Sequence, residues 1–175
     1  MNSLDLLVQN YFYLNHTPTV TQFMYVLSGL FDPSLPIISV ILFSALLVYL
    51  VRGVEHSWLF VLAMITGWVS VYILKYLFDV NRPLDGVVVG FGQSFPSGHT
   101  TIATVFFVMI MYLFRPYLRG FLGAVLNFFC VACILAVGFS RIYLGVHWMS
   151  DVLAGLCLGV LISYASIKVF KKLTL

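Results

Sequence analysis

A histidine and an aspartate stand four residues apart in an otherwise apolar part of the chain. His147 and Asp151 would share one face of a helix, so the carboxylate can accept the Nδ1 proton and leave Nε2 free as a nucleophile or base. This is the general pattern of an activated nucleophile. The same pair could ligate a metal, but three cations and no second carboxylate accompany it, so we expect no metal and no other cofactor.

The three cations are Lys75, Arg82 and Arg141. Lys75 and Arg82 are seven residues apart, or two helical turns, and point the same way if one helix continues to Pro83, which is expected to end it. Arg141 follows Ser140 at the end of a later apolar run. Anchoring at the membrane surface would explain each cation by itself, but it would not explain why all three are expected at the same face of the membrane.

A turn-rich loop leads into a second histidine through Pro96, Ser97, Gly98 and His99. Ser97 or Thr100 can cap the helix that follows, and the amides of its first residues would form a seat for an anion. An ordinary capped helix start is the alternative, but it needs no histidine. Three cations, a helix N-terminus, two histidines and one carboxylate suit a dianionic phosphate, because a neutral ligand would leave the cations unpaired.

The composition places this chemistry in a membrane. Of the 175 residues, 62% are hydrophobic and 9% are charged, against roughly 25% charged in soluble proteins. This excludes a water-soluble protein, and 29 aromatic residues (16 Phe, 10 Tyr and 3 Trp) argue against disorder. The nine Lys and Arg are dispersed, so we expect no nucleic-acid partner. The three cysteines lie in apolar runs and are expected to be buried thiols.

Four runs without Asp, Glu, Lys or Arg, and a fifth apolar stretch that begins with His147 and Asp151, predict five membrane-spanning helices. They cover residues 33–51, 57–74, 97–114, 120–140 and 147–168. The segment 6–31 is interrupted at 15–18, and we expect two short interfacial or re-entrant helices there, with a sixth span as the alternative. The predicted fold is an all-α polytopic membrane helix bundle. It forms one domain over 1–175, with the N-terminal helices in 1–31 and the five-helix bundle in 33–175.

Two further patterns concern orientation and packing. Six of the nine basic residues fall on one side of the five spans, which predicts a cytoplasmic C-terminus and a site on the extracytoplasmic face. These six are Arg52, Arg115, Arg119, Lys168, Lys171 and Lys172. Gly155, Gly159 and Ser163 form a stripe of small residues on the fifth span. We expect close helix packing within the chain, with a homodimer face as the alternative, so the oligomeric state stays open.

The motifs resemble those of the type 2 phosphatidic acid phosphatase (PAP2) superfamily, which read K-x6-R-P, P-S-G-H and S-R-x5-H-x3-D. All eleven identities and all internal spacings match. In this chain they are Lys75 with Arg82-Pro83, then Pro96-Ser97-Gly98-His99, then Ser140-Arg141 with His147 and Asp151.

The resemblance implies a metal-independent phosphatase that works through a phosphohistidine. His147 would attack phosphorus, Asp151 would fix its tautomer, and His99 would protonate the leaving oxygen and then activate water. The phosphate oxygens would be held by Lys75, Arg82, Arg141, Ser97 and Gly98. Pro83, Pro96 and Ser140 would complete the motifs structurally.

The resemblance also implies a lipid phosphate as substrate and the bacterial inner membrane as location. Phosphatidylglycerophosphate, phosphatidic acid, undecaprenyl diphosphate and lipid A 1-phosphate all fit. Phe91, Phe95, Tyr143 and Trp148 are candidates for contacting the lipid or for anchoring at the interface. A lipid phosphotransferase with the same intermediate is one alternative. A phospholipid-binding or transport protein is another, but it would not need His147, Asp151 and His99.

Overall fold

The structure is a computed structural model that describes residues 3–29, 35–84 and 86–174, with side chains in the second range from residue 37 onward. The described residues form seven helices, which confirms the all-α prediction. They are α1 (Ser3–Leu14), α2 (Pro18–Gly29), α3 (Leu35–Arg52), α4 (Val54–Phe78), α5 (Gly98–Phe114), α6 (Gly120–Tyr143) and α7 (Met149–Thr174). The predicted start of the first span at residue 33 lies outside the described residues, as do residues 30 and 31 of the N-terminal region.

Three of the helices are long and apolar enough to cross a membrane: α4, α6 and α7, with 25, 24 and 26 residues. At 1.5 Å per residue each exceeds the roughly 30 Å of a bilayer's hydrocarbon core. α3 and α5 are shorter apolar helices. Every predicted span therefore coincides with an apolar helix, and the largest difference in bounds is at the C-terminal end of α7, which continues to Thr174 rather than ending at residue 168.

The N-terminal region forms the two short helices that the break at 15–18 predicted. α1 and α2 have 12 residues each, about 18 Å of helix, so neither can cross a bilayer alone. Both lie against α6, and α1 also contacts α7. They therefore pack on the two helices that flank His147.

The small-residue stripe of α7 packs against α5. A Cβ added at Gly159 would lie 2.5 Å from Cβ of Thr104, and one added at Gly155 would lie 2.9 Å from the carbonyl oxygen of Ser97. Real Cβ atoms do not approach so closely, so only glycine permits this contact. The expected packing within the chain is confirmed, and it brings the first turns of α5 and α7 together.

The apolar core lies beside this contact and is built mainly from α3, α4, α5 and α6, with the largest share from α5. Its largest fully buried side chains include Phe60, Met64 and Met109. Of the three cysteines, Cys130 is buried, Cys133 is partly buried and Cys157 is exposed on the outer surface of α7. The expectation of buried thiols is therefore wrong for Cys157.

Candidate active site

Lys75 lies in the last turn of α4, which ends at Phe78. Asp79 adopts a left-handed conformation with φ of 44°, and its amide donates to the carbonyl oxygen of Lys75 at 3.2 Å. The prediction that this helix continues to Pro83 is therefore wrong, and Arg82 lies in the loop that follows rather than at a helix end. The two cations nevertheless line the same cavity.

Backbone carbonyls hold both cations in place. Lys75 Nζ donates two hydrogen bonds, and the guanidinium of Arg82 donates four to three carbonyl groups, over distances of 2.5–3.2 Å. The acceptors are Gln93 and Ser94 for Lys75, and Phe91, Gly92 and Val146 for Arg82. The two cations therefore fix the loop before α5, and Arg82 also ties it to the segment before α7.

His147 lies just before α7, which begins at Met149 rather than at the predicted residue 147. Gly145, with φ of 69°, turns the chain out of α6 into this segment. Asp151 is the third residue of α7, and its Oδ2 accepts a hydrogen bond at 2.9 Å from the amide of Trp148, the residue that precedes the helix. This is the bond that the third residue of a helix makes in a capping box. The same oxygen lies 3.3 Å from His147 Nδ1. The pair meets as predicted, but through the helix start rather than along one helical face.

The contacts of His147 identify its tautomer. Arg82 Nη1 lies 3.1 Å from His147 Nε2. A guanidinium only donates, so Nε2 must accept, and the ring proton is on Nδ1, facing Asp151. Burial, and then the charge of Arg82, hold the pKa of His147 well below its usual range. His147 is therefore neutral at pH 7, with the lone pair of Nε2 on the side of the cations.

A cavity of about 270 Å³ lies beside Nε2. Two cations and two histidines line it, together with the backbone of Gly98 and a set of apolar side chains from α3, α4 and α5. Nε2 of His99 is buried and has no hydrogen-bond partner among the described residues. The lining residues are Lys75, Arg82, Gly98, His99, His147, Phe91, Ile37, Trp68, Val71, Tyr72 and Ile102. The cavity is thus lined by cationic and by apolar side chains.

Arg141 lies beside this cavity rather than in it. It lines an adjoining cavity of about 320 Å³, which shares Arg82, Phe91 and His99 with the first. Its Nη1 donates to the hydroxyl of Ser28 in α2. Two of the three cations thus line the first cavity, as predicted, while Arg141 lines the second cavity together with Arg82 and His99.

Ser97 occupies the N-cap position of α5 without a side-chain capping bond. Its hydroxyl is fully buried and accepts a hydrogen bond from Thr100 Oγ1 at 2.9 Å, while its amide donates to the carbonyl oxygen of Asp151 at 3.1 Å. Ser97 therefore occupies the predicted cap position, but its hydroxyl does not accept a hydrogen bond from an amide of the first turn. Gly98 and His99, but not Ser97, line the first cavity.

Ser94 is a site residue that the sequence analysis missed. Its side chain is fully buried, donates to Asp151 Oδ2 and lies 3.3 Å from His147 Nδ1. Its carbonyl oxygen accepts a hydrogen bond from Lys75. Ser94 is one of two serines in the loop before α5, the other being Ser97. Nothing in the sequence indicated that its side chain would contact His147 and Asp151.

Asp5 was also missed, although the sequence carried a signal. It is the one Asp, Glu, Lys or Arg among the first 31 residues, and a lone acid in an apolar segment is expected to have a buried partner. In the structure its two carboxylate oxygens accept the amide and the hydroxyl of Ser150, both at 2.9 Å. Helix α1 therefore holds the start of α7.

The aromatic residues near the site divide into two groups. Phe91 is 87% exposed, and Phe95 packs on Phe78. Tyr143 and Trp148 are buried, and Trp148 Nε1 donates to the carbonyl oxygen of Asn81. Neither of these two faces the lipid. The remaining motif residues, Pro83, Pro96 and Ser140, are all buried.

A family model described as the PAP2 superfamily matches residues 55–175, more than half of the chain. The chain belongs to the PAP2 superfamily. The match covers α4 to α7 and every motif residue from Lys75 to Asp151, whereas α1, α2 and α3 precede it.

Individual PAP2 proteins resemble this chain to different extents. An undecaprenyl-diphosphatase of Sulfolobus acidocaldarius is 33% identical over 123 residues, which are 63% of this chain and 51% of that protein. A lipid A 1-phosphatase of Rhizobium johnstonii is 36% identical over 80 residues, 46% of this chain and 29% of that protein. The chain thus spans about half or less of the length of these curated relatives. The crystal structure of a transmembrane PAP2 type phosphatidylglycerolphosphate phosphatase from Bacillus subtilis has a TM-score of 0.88, with 26% identity, covering 97% of this chain and 86% of that one.

Proposed function

We propose that this PAP2 protein is an integral membrane phosphatase that removes a phosphate from a lipid phosphate or diphosphate through a phosphohistidine. One observation carries the proposal. The buried, neutral His147 presents the lone pair of Nε2 beside Arg82, in a cavity that also holds Lys75 and His99. The proton on Nδ1 faces Asp151, so a positive charge that develops on the ring during attack is stabilised.

The reaction has two steps, both at phosphorus. In the first, Nε2 of His147 forms a bond to phosphorus while the bond to the leaving oxygen breaks, and His99 gives that oxygen a proton. In the second, His99 takes a proton from water, the water oxygen bonds to phosphorus, and the phosphorus–nitrogen bond breaks. Acid–base help of this kind contributes about 10²- to 10⁴-fold to the rate.

The cations supply the electrostatic part of the catalysis. Lys75 and Arg82 line the first cavity, Arg141 lines the second together with His99, and Gly98 adds its backbone at the start of α5. Preorganised charges of this kind stabilise the oxygens of a phosphoryl group in transfer without reorganisation. Ser97 contributes through the packing of α5, because it does not line the first cavity and its amide is bonded to the carbonyl oxygen of Asp151.

The lining of the first cavity supports a lipid substrate. Trp68 and Tyr72 of α4 line the same cavity as the cations and are exposed at the outer surface, whereas Val71 and Ile102 line it as buried side chains. A phosphate can meet the cations while an attached tail follows these side chains. Undecaprenyl diphosphate, lipid A 1-phosphate, phosphatidylglycerophosphate and phosphatidic acid are the substrates to compare.

We further propose that α3 to α7 are five membrane spans in one domain with α1 and α2. Basic residues gather at the end of the bundle that holds Arg52, the loop between α5 and α6, and the C-terminus. This charge bias favours a cytoplasmic C-terminus and an extracytoplasmic site in a bacterial inner membrane.

The test is phosphate release by detergent-purified protein from the four lipids, with EDTA present throughout. We expect release from at least one lipid and none from His147→Ala. His56→Ala is the matched control, because His56 lies at the other end of α4, beside Arg52, and should retain full activity. Near-normal release by His147→Ala would overturn the nucleophile, and activity lost to EDTA would overturn metal independence.

Phosphotransfer is the second candidate, and the adjoining cavity favours it. That cavity of about 320 Å³ shares His99 and Arg82 with the first and could seat an acceptor alcohol. Adding a diacylglycerol or a polyprenol to the assay would then give a new phospholipid at the expense of free phosphate. Binding of the lipids with neither product would instead support a binding or transport protein.

A further inference from the structure

Ser94 contacts three of the proposed active-site residues at once. Its hydroxyl donates to Asp151 Oδ2 and lies 3.3 Å from His147 Nδ1, and its carbonyl oxygen accepts from Lys75 at 3.2 Å. Its amide donates to the carbonyl oxygen of Val80 at 2.7 Å, which fixes the residue from the other side. No solvent reaches the side chain.

The donors and acceptors around Asp151 define what the hydroxyl does. A serine hydroxyl has one proton and two lone pairs. Because the proton of Ser94 goes to Asp151 Oδ2, a lone pair faces the proton on Nδ1 of His147. Oδ2 also accepts the amide of Trp148, whereas Oδ1 is buried without a hydrogen-bond partner among the described residues. The hydroxyl and the amide thus hold the one carboxylate oxygen that faces the imidazole.

We propose that Ser94 is a positioning residue for the His147–Asp151 pair. Its hydroxyl orients the Asp151 carboxylate and shares the Nδ1 proton, so that the pair becomes a triad. This inference rests on the proposed function. When the phosphorus–nitrogen bond forms, the ring becomes positive, the proton stays on Nδ1, and the hydroxyl stabilises that charge without losing its own proton.

The first experiment measures turnover of Ser94→Ala, with Ser94→Thr as the variant that keeps the hydroxyl. Loss of a hydrogen bond to a charged group predicts a fall in kcat of about 10- to 100-fold. KM should change little, because the Ser94 side chain does not line the cavity. Ser94→Thr should recover most of the loss. Should Ser94→Ala fail to fold, Ser94→Cys replaces it, because a thiol has similar volume but donates weakly.

A double-mutant cycle separates positioning from a general loss of structure. If Ser94 acts through Asp151, Ser94→Ala should have almost no further effect on single-turnover phosphorylation in an Asp151→Asn background. Independent effects that multiply would overturn the proposal. So would an unchanged kcat, or a rise in KM with kcat intact.

A second readout requires no turnover and separates this proposal from the proposed function. The chain has four histidines, so ¹⁵N-histidine labelling gives few signals, and His147→Ala identifies the one that matters. We expect the wild-type ring to carry its proton on Nδ1 and Ser94→Ala to shift that nitrogen. A shift in a protein that releases no phosphate would support the triad and reject the phosphatase. An unchanged Nδ1 signal would overturn the role of Ser94 even if the phosphatase is active.

Discussion

Arg82 donates from Nη1 to Nε2 of His147 across 3.1 Å, so a permanent cation faces the nitrogen proposed as the nucleophile. The contact has two effects. It opposes protonation of Nε2, and it places the lone pair of Nε2 on the side of the guanidinium. Arg82 therefore favours the neutral form of the histidine, and it lines the same cavity as Nε2.

The first prediction concerns pH. Since burial and Arg82 hold the pKa of His147 well below its usual value, which is about 6.5, the histidine stays unprotonated as the pH falls through that value. The acid limb of kcat/KM should therefore lie below pH 6.5. Arg82→Gln removes the nearby charge, so it should raise the pKa of His147 and move the acid limb to higher pH. A profile of kcat/KM between pH 4 and 8, in about half-unit steps, measures both.

Asp151→Asn should reduce kcat strongly and leave the fold intact. The amide can still accept from Trp148 through its oxygen, but it cannot stabilise the charged ring as a carboxylate does. We expect a loss on the order of 10²- to 10⁴-fold in single-turnover phosphorylation. Thermal unfolding in detergent should change little. A variant that turns over at more than a tenth of the wild-type rate would contradict the charge-stabilising role.

Asp5→Asn should destabilise the start of α7 from a distance in sequence. The carboxylate accepts two hydrogen bonds from Ser150. Asparagine keeps one acceptor oxygen, so one of the two bonds is lost, which costs about 0.5–1.5 kcal/mol. We expect a lower Tm and a smaller loss of activity than for Asp151→Asn. Asn10→Asp places an acid at an exposed position of the same helix and, in the Asp5→Asn background, should not restore the Tm. Equal stability of Asp5→Asn and wild type would mean that α1 does not support α7.

Gly159→Ala should lower the Tm by crowding α5. The added methyl would lie 2.5 Å from Thr104, and overpacking of this kind costs about 1–3 kcal/mol. Leu161→Ala is the control on the same helix, because Leu161 is 64% exposed. The measurement is unfolding in detergent followed by circular dichroism. A Tm for Gly159→Ala as high as that of the control would argue against the tight contact.

The helices could be predicted from the sequence because their signal is continuous. Apolar runs of about 20 residues are read directly from the chain, and the break at 15–18 marks the two N-terminal helices. The end of α4 could not be located in this way. Asp79 adopts a left-handed conformation that aspartate tolerates but does not require, and Pro83 offered a stronger but false stop signal four residues later.

The candidate site could be predicted as a set of residue types but not as an arrangement. Spacing brought His147 and Asp151 together correctly, because both lie near one helix start. Spacing gave no information about which cavity Arg141 would line. Its position depends on the hydrogen bond to Ser28 in α2, which is far away in the sequence. The spacing of the motifs also could not show that Ser94 contacts His147 and Asp151, which are more than fifty residues further along the chain.

The glycine contact between α5 and α7 also limits how the protein can move. Gly155 lies against the carbonyl oxygen of Ser97, and the amide of Ser97 is bonded to the carbonyl oxygen of Asp151, so the two helix starts are joined through their backbones. Sliding one helix along the other would break this hydrogen bond. We therefore expect any opening for a bulky head group to come from the loops that follow α4 and α6. Head-group preference can therefore change through these loops while His99 and Asp151 keep their relative positions.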